Sequence, residues 1–176
     1  STFTESKWTI LFLNYLKSHK SVDLFNFFTF EWYPFDDLCE ATAPQLAGAP
    51  ELLAIALKNI QNVLPERTPL YITEYGYSAY EGRPEVEIEG ALMYADILGQ
   101  FMQLGGSKSF LYSYEPAYLQ QSNHCGYGNN MLFGLGPDEK IKYKTAAYYG
   151  MQMVTQYWGQ PSDSLLEIYP SASNIH

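Results

Sequence analysis

Apolar and polar residues follow one another along the chain in blocks whose period switches between that of a helix and that of a strand. Trp8, Leu11, Phe12, Tyr15, Leu16 and His19 recur at three- and four-residue spacing behind Thr2 and Glu5, which stand at capping-box separation, and predict a first helix. Leu24 to Phe30 is almost continuously apolar and aromatic and Pro34 closes it, the pattern of a strand over residues 23–33 that is buried on both faces in a parallel sheet. With Pro50 near its first turn and Pro65 as its stop, the spacing of Leu53, Leu57, Ile60 and Leu64 predicts a second helix. PLYITEYG, bracketed by Pro69 and Gly76, is a second strand over residues 69–75.

A third helix is predicted to start near Pro84, with Glu85, Glu87 and Glu89 where a helix N-terminus favours negative charge and Ile88, Leu92, Ala95, Leu98 and Met102 on its buried face. Gly105 and Gly106 end it. SKSFLYSY, residues 107–114, is a third strand, and a fourth helix runs from about Lys142 to Trp158. Strands that alternate with helices in this way imply right-handed βαβ units and a parallel sheet with helices outside it. An open doubly wound sheet usually carries a Gly-rich phosphate turn, and neither GxGxxG nor a P-loop occurs here. The expected fold class is therefore α/β, the C-terminal half of a (β/α)8 TIM barrel: about three parallel strands with outer helices over residues 1–160, followed over 161–176 by the start of an accessory β-structure in LLEIYPS.

Composition narrows the function. Charged residues are only 16% of the 176, which excludes a disordered chain, and 16 Tyr, 10 Phe and 3 Trp supply flat, partly polar faces of the kind that suit sugar rings or peptides. A formal charge of -9 is the wrong sign for a phosphate backbone, so no nucleic acid partner is expected. No apolar run approaches the roughly 18 residues of a membrane span, so no membrane partner is expected either. His19, His124 and His176 have no metal-ligand spacing, and no cofactor motif is present. Cys39 and Cys125 fit one disulfide or two free thiols.

Parallel α/β sheets bind ligands beyond the carboxyl ends of their strands, and here those ends are acidic and aromatic. They carry Glu31, Trp32 and Tyr33, then Glu74, Tyr75 and Tyr77, then Tyr112, Tyr114 and Glu115. Glu74 is the sharpest candidate, because a carboxylate within an apolar run costs several kcal/mol unless it is hydrogen-bonded or used. Strand alternation places it on the face of Leu70 and Ile72. It reads as a catalytic group or as a carboxylate satisfied at a loop start. Glu31 reads as a sugar-binding group or a salt-bridged loop residue, and Tyr33 as a donor to Glu74 or a core tyrosine. Glu115 reads as a loop carboxylate. The segment 116–137 is long for a connection, and Tyr118, Asn123, His124, Tyr127 and Asn129 supply stacking and hydrogen-bonding groups for a sugar or form an ordinary surface loop.

PLYITEYGYSA resembles the seventh strand of the clan A glycoside hydrolases, the retaining (β/α)8 glycosidases, where a Glu before a Gly-containing loop is the nucleophile. FNFFTFEWYPFDD is similar to their sixth strand, SKSFLYSYEP to their eighth and GLGPDEKIKYKTAAYYGMQMV to their last helix. The resemblance implies O-glycosidic hydrolysis with Glu74 as nucleophile, oriented by Tyr33, and with Glu31, Tyr77, Tyr112 and Tyr114 in contact with a carbohydrate substrate. It implies work outside the cytoplasm, as is usual in the family. Two carboxyl groups about 5 to 5.5 Å apart run this chemistry. The family's acid/base lies at the end of the fourth strand, so it is expected from a missing N-terminal half of the same barrel. Glu31 replaces the family's common His, and Tyr112, Ser113 and Tyr114 stand where a Trp is common. The alternative is a catalytically silent half-barrel that binds carbohydrate or packs against another chain.

Overall fold

The computed structural model describes residues 7–38, 41–112, 114–122, 126–160 and 162–164. Strands β1 (Phe28–Trp32), β2 (Leu70–Tyr75) and β3 (Lys108–Leu111) lie side by side in sequence order and all run parallel. Helix α1 (Lys7–Ser18) precedes them, α2 (Thr42–Gln61) joins β1 to β2, and the single turn α3 (Arg83–Val86) with α4 (Ile88–Gln103) joins β2 to β3. Helix α5 (Ala146–Gln152) continues as a π-helical turn to Trp158. This is a mixed α/β chain with a parallel three-stranded sheet, built from the three predicted strands in the predicted order. The expected capping pair Thr2 and Glu5, the two cysteines and the expected strand in 165–171 lie outside the described residues.

The sheet is covered on one face. Phe30, Trp32, Leu70, Ile72, Tyr75 and Leu111 meet Leu53, Leu57 and Ile60 of α2, Met93, Ile97 and Phe101 of α4, and Met151 of α5 in one core. Thr29, Glu31, Thr73, Lys108 and Phe110 occupy the other face and are exposed. On that face Phe27 stacks on Tyr71 at 5.1 Å and Lys108 sits over the same ring. The expectation that β1 is buried on both sides is therefore wrong, since among the described residues no second layer meets the face of Thr29 and Glu31. Its apolar approach is also shorter than predicted, because Val22–Leu24 forms a 3-10 turn.

One irregularity sets the phase of the sheet. The ladder pairs Phe30 with Ile72 but then Glu31 with Glu74 and Trp32 with Tyr75, so Thr73 is an extra residue in β2. Its hydroxyl donates to the Phe30 carbonyl at 3.2 Å. In an unbroken ladder Glu74 would oppose Trp32 on the covered face and Tyr75 would point outward. The extra residue exchanges them, so Glu74 does not share the face of Leu70 and Ile72.

The helices differ from expectation where apolar residues surround the whole helix. In α4 the buried positions are Gly90, Ala91, Met93, Tyr94, Ile97 and Phe101, while the predicted Ile88, Leu92 and Met102 are exposed. Ile88, Leu92 and Ala95 instead line an open groove of about 810 Å³ with Tyr149, Met153 and Trp158. Helix α1 likewise buries Leu13 and leaves Trp8, Leu11 and Tyr15 exposed. Helix α2 begins at Thr42, so Pro44 takes the first-turn role read for Pro50, which lies inside the helix. The long connection after β3 is two hairpins, β4 (Gln120–Ser122) with β5 (Gly126–Gly128) and β6 (Phe133–Leu135) with β7 (Ile141–Lys144). The fourth helix consequently starts at Ala146, not Lys142.

A one-sided core makes an unequal pair of substitutions. Ile72→Ala, at a side chain with 0% exposure, is expected to cost about 2–5 kcal/mol, whereas Phe110→Ser on the open face should change stability by about 0.5 kcal/mol or less. Urea unfolding of the chain measures both, and equal losses would show that the open face is covered.

Candidate active site

The extra residue in β2 sets Glu74 directly beside Glu31 on neighbouring strands about 5 Å apart, at the carboxyl ends of the sheet. Tyr33 follows β1 and its hydroxyl donates to Glu74 Oε2 at 3.0 Å. Burial is the first cause that pushes the Tyr33 phenol far up, and the hydrogen bond to Glu74 and the charges of Glu74 and Glu31 add to it. Tyr33 therefore keeps its proton and acts on Glu74 as a standing donor. Tyr112 meets the Tyr33 ring edge-on at 6.5 Å, and Tyr112 and Tyr114 are both exposed. Glu31, Tyr33, Glu74 and Tyr112 are thus brought together, with Tyr114 just beyond β3.

Tyr77 does not join them. It is wholly buried, packs on Phe35 and donates to Gln45 Oε1 at 2.5 Å, so it supports the site from beneath. Asn129 is also buried; it donates to the carbonyls of Ala117 and Tyr118 and accepts from the Met131 amide, so it organises the loop from within, neither free for a sugar nor on an ordinary surface. Tyr127 donates to Glu87, while Tyr118 remains exposed. Asn123, His124 and Ser113 lie outside the described residues.

Three supporting residues escaped sequence reasoning. Gln45 bridges the two strand-end loops, donating to the Asp37 carbonyl at 2.8 Å while it accepts from Tyr77. A polar residue in mid-helix carries no signal that singles it out. Gly76 is needed for close approach, since a Cβ there would lie 2.9 Å from the Tyr33 ring. Glu85, read as a helix-end charge, is 1% exposed, accepts from the Ser78 amide at 2.6 Å and is bonded to Tyr94 at 2.5 Å. Burial pushes its carboxyl up to about 8 against the opposing pull of Tyr94 and the backbone of Ser78 and Tyr77. Its neighbours are paired: Arg83 meets Glu87 at 2.5 Å and the largely buried Glu89 at 3.5 Å. Among the described residues no cluster of three or more His, Cys, Asp or Glu could hold a metal ion.

A parallel α/β sheet with a tyrosine-bonded carboxylate between aromatic side chains at its carboxyl edge is the class defined by fold and site together. No family model and no curated protein sequence matches the chain. Among solved structures it is similar to the monomeric beta-xylosidase from Caulobacter crescentus CB15, a glycoside hydrolase, with a TM-score of 0.55 and 14% identity. The match covers 85% of this chain and 31% of that one, so the chain spans about a third of the length of that enzyme. What the two share at this identity is the fold.

The contact between Gly76 and Tyr33 is separable by a double-mutant cycle. Gly76→Ala is expected to cost about 1–3 kcal/mol by overpacking, and most of that loss should vanish in a Tyr33→Ala background, where the ring is absent. An undiminished loss in that background would place the strain elsewhere.

Proposed function

We propose that the chain is the nucleophile-bearing part of a retaining glycoside hydrolase, in the C-terminal half of a (β/α)8 barrel. The observation that carries this reading is the Tyr33 hydrogen bond to Glu74 at the carboxyl edge of a parallel sheet; the fold shared with a beta-xylosidase supports it. In this reading a Glu74 carboxylate oxygen attacks the anomeric carbon as the glycosidic oxygen leaves with a proton from a general acid, and water then hydrolyses the glycosyl-enzyme ester. Tyr33 orients the attacking carboxylate. Glu31 binds sugar hydroxyls, and Tyr112 and Tyr114 supply exposed faces for the ring. The acid/base lies outside this chain, in the N-terminal half of the barrel that covers the open face of the sheet, and the carbohydrate is the substrate.

A non-hydrolytic carbohydrate-binding half-barrel is the second reading, favoured by the exposure of Tyr112 and Tyr114 beside a carboxylate pair. Glu74→Gln decides between the two, since it preserves size and abolishes attack. In the full-length protein it should lower turnover of an aryl glycoside by several orders of magnitude while changing affinity by about tenfold or less. Turnover near the wild-type rate would remove Glu74 from the role of nucleophile. The 176-residue chain by itself should bind without turning over, and hydrolysis by a homogeneous preparation of it would show that the acid/base lies within these residues.

A further inference from the structure

Glu85 is a buried carboxyl that the chemistry above does not use. It lies in the connection between β2 and α4, and its two oxygens reach in opposite directions along the chain: Oε1 to the amide of Ser78, four residues past Glu74, and Oε2 to the hydroxyl of Tyr94 in α4. Tyr94 in turn meets the ring of Tyr75, the residue after Glu74, edge-on at 6.1 Å. The start of α4 is closed tightly over this group, since a Cβ on Gly90 would lie 2.6 Å from the Pro84 and Glu85 carbonyls. The groups facing Glu85 are Tyr94, the phenol of Tyr77 and the backbone of Ser78 and Tyr77, with Tyr75 behind Tyr94; the nearby Arg83 is paired with Glu87 and Glu89. Among the described residues no cation is paired with Glu85.

We propose that Glu85 is a positioning residue whose ties to Ser78 and Tyr94 fix the exit of β2 and with it the place of Glu74 beside Tyr33. Both oxygens accept, Oε1 from the Ser78 amide and Oε2 from the Tyr94 hydroxyl, and a group this deeply buried has no water to replace either donor, so each bond fixes the segment that supplies it. Burial raises the carboxyl to about 8 against the pull of the donors that hold it. The folded-state value then lies above the ordinary carboxyl value of 4.5, so the contribution of Glu85 to stability is whole below that value and is lost as pH rises through 8.

The test compares Glu85→Gln, which keeps the shape and an acceptor for the Ser78 amide, with Glu85→Ala, which keeps neither. In the 176-residue chain, wild type should lose more melting temperature than Glu85→Gln between pH 5 and pH 8.5, the histidines contributing equally to both. In the full-length protein, where the readout rests on the glycosidase reading, Glu85→Gln should keep kcat within about threefold, whereas Glu85→Ala should lose about tenfold to a hundredfold in kcat with KM within about threefold, as a misplaced nucleophile does. If Glu85→Ala does not fold, Tyr94→Phe takes its place with the same two outcomes. Equal pH slopes of melting for wild type and Glu85→Gln, or a folded Glu85→Ala with wild-type kcat, would overturn the proposal. Absence of hydrolysis by the wild type would sink the glycosidase reading and leave the positioning inference to the melting curves alone.

Discussion

Everything at the carboxyl edge of the sheet depends on the one residue by which β2 exceeds its neighbours. With Thr73 inserted, Tyr75 turns into the core beside Trp32 and Glu74 turns out beside Glu31. The alternative phase would put a carboxylate against the indole of Trp32 and the helix layer, and would expose the ring of Tyr75. Burying an unpaired carboxylate costs several kcal/mol, and exposing a large aromatic forfeits another one to three. Those two terms have the same sign, and together they exceed the loss of one ladder pairing, part of which the Thr73 hydroxyl recovers at the Phe30 carbonyl.

Once Glu74 is placed, buried polar side chains hold the loops that surround it. Gln45 ties the loop after β1 to Tyr77, Glu85 ties the loop after β2 to α4, and Asn129 ties the residues after β3 to their own hairpins. Each is nine-tenths or more buried and each is hydrogen-bonded, as buried polar groups have to be. Loops that also bury Phe35, Leu38, Tyr77 and Leu132 need such ties, because hydrophobic burial alone does not select one conformation. The open face of the sheet presents Thr29, Thr73, Lys108 and Phe110 to solvent.

Much of the architecture was legible in the sequence, because strands, helices and their order are written in local periodicity. The three strands, the parallel order and the acidic and aromatic strand ends follow from runs such as LYITEY between Pro69 and Gly76. Which way a side chain faces was decided only by the tertiary structure. Helix α4 has apolar residues on nearly every side, so periodicity named Ile88, Leu92 and Met102 while packing against the sheet chose Met93, Ile97 and Phe101. Tyr77 and Asn129 read as site residues and are buried supports; Glu85 read as a helix-end charge and is a buried carboxyl. A single inserted residue, a close approach at Gly76 and the closure of α4 over Glu85 are events between elements distant in the chain. The sequence by itself therefore determined which residues stand near the carboxyl edge, and the packing of strand on strand and helix on sheet determined which of them face outward, because burial energy is a property of contacts and not of spacing.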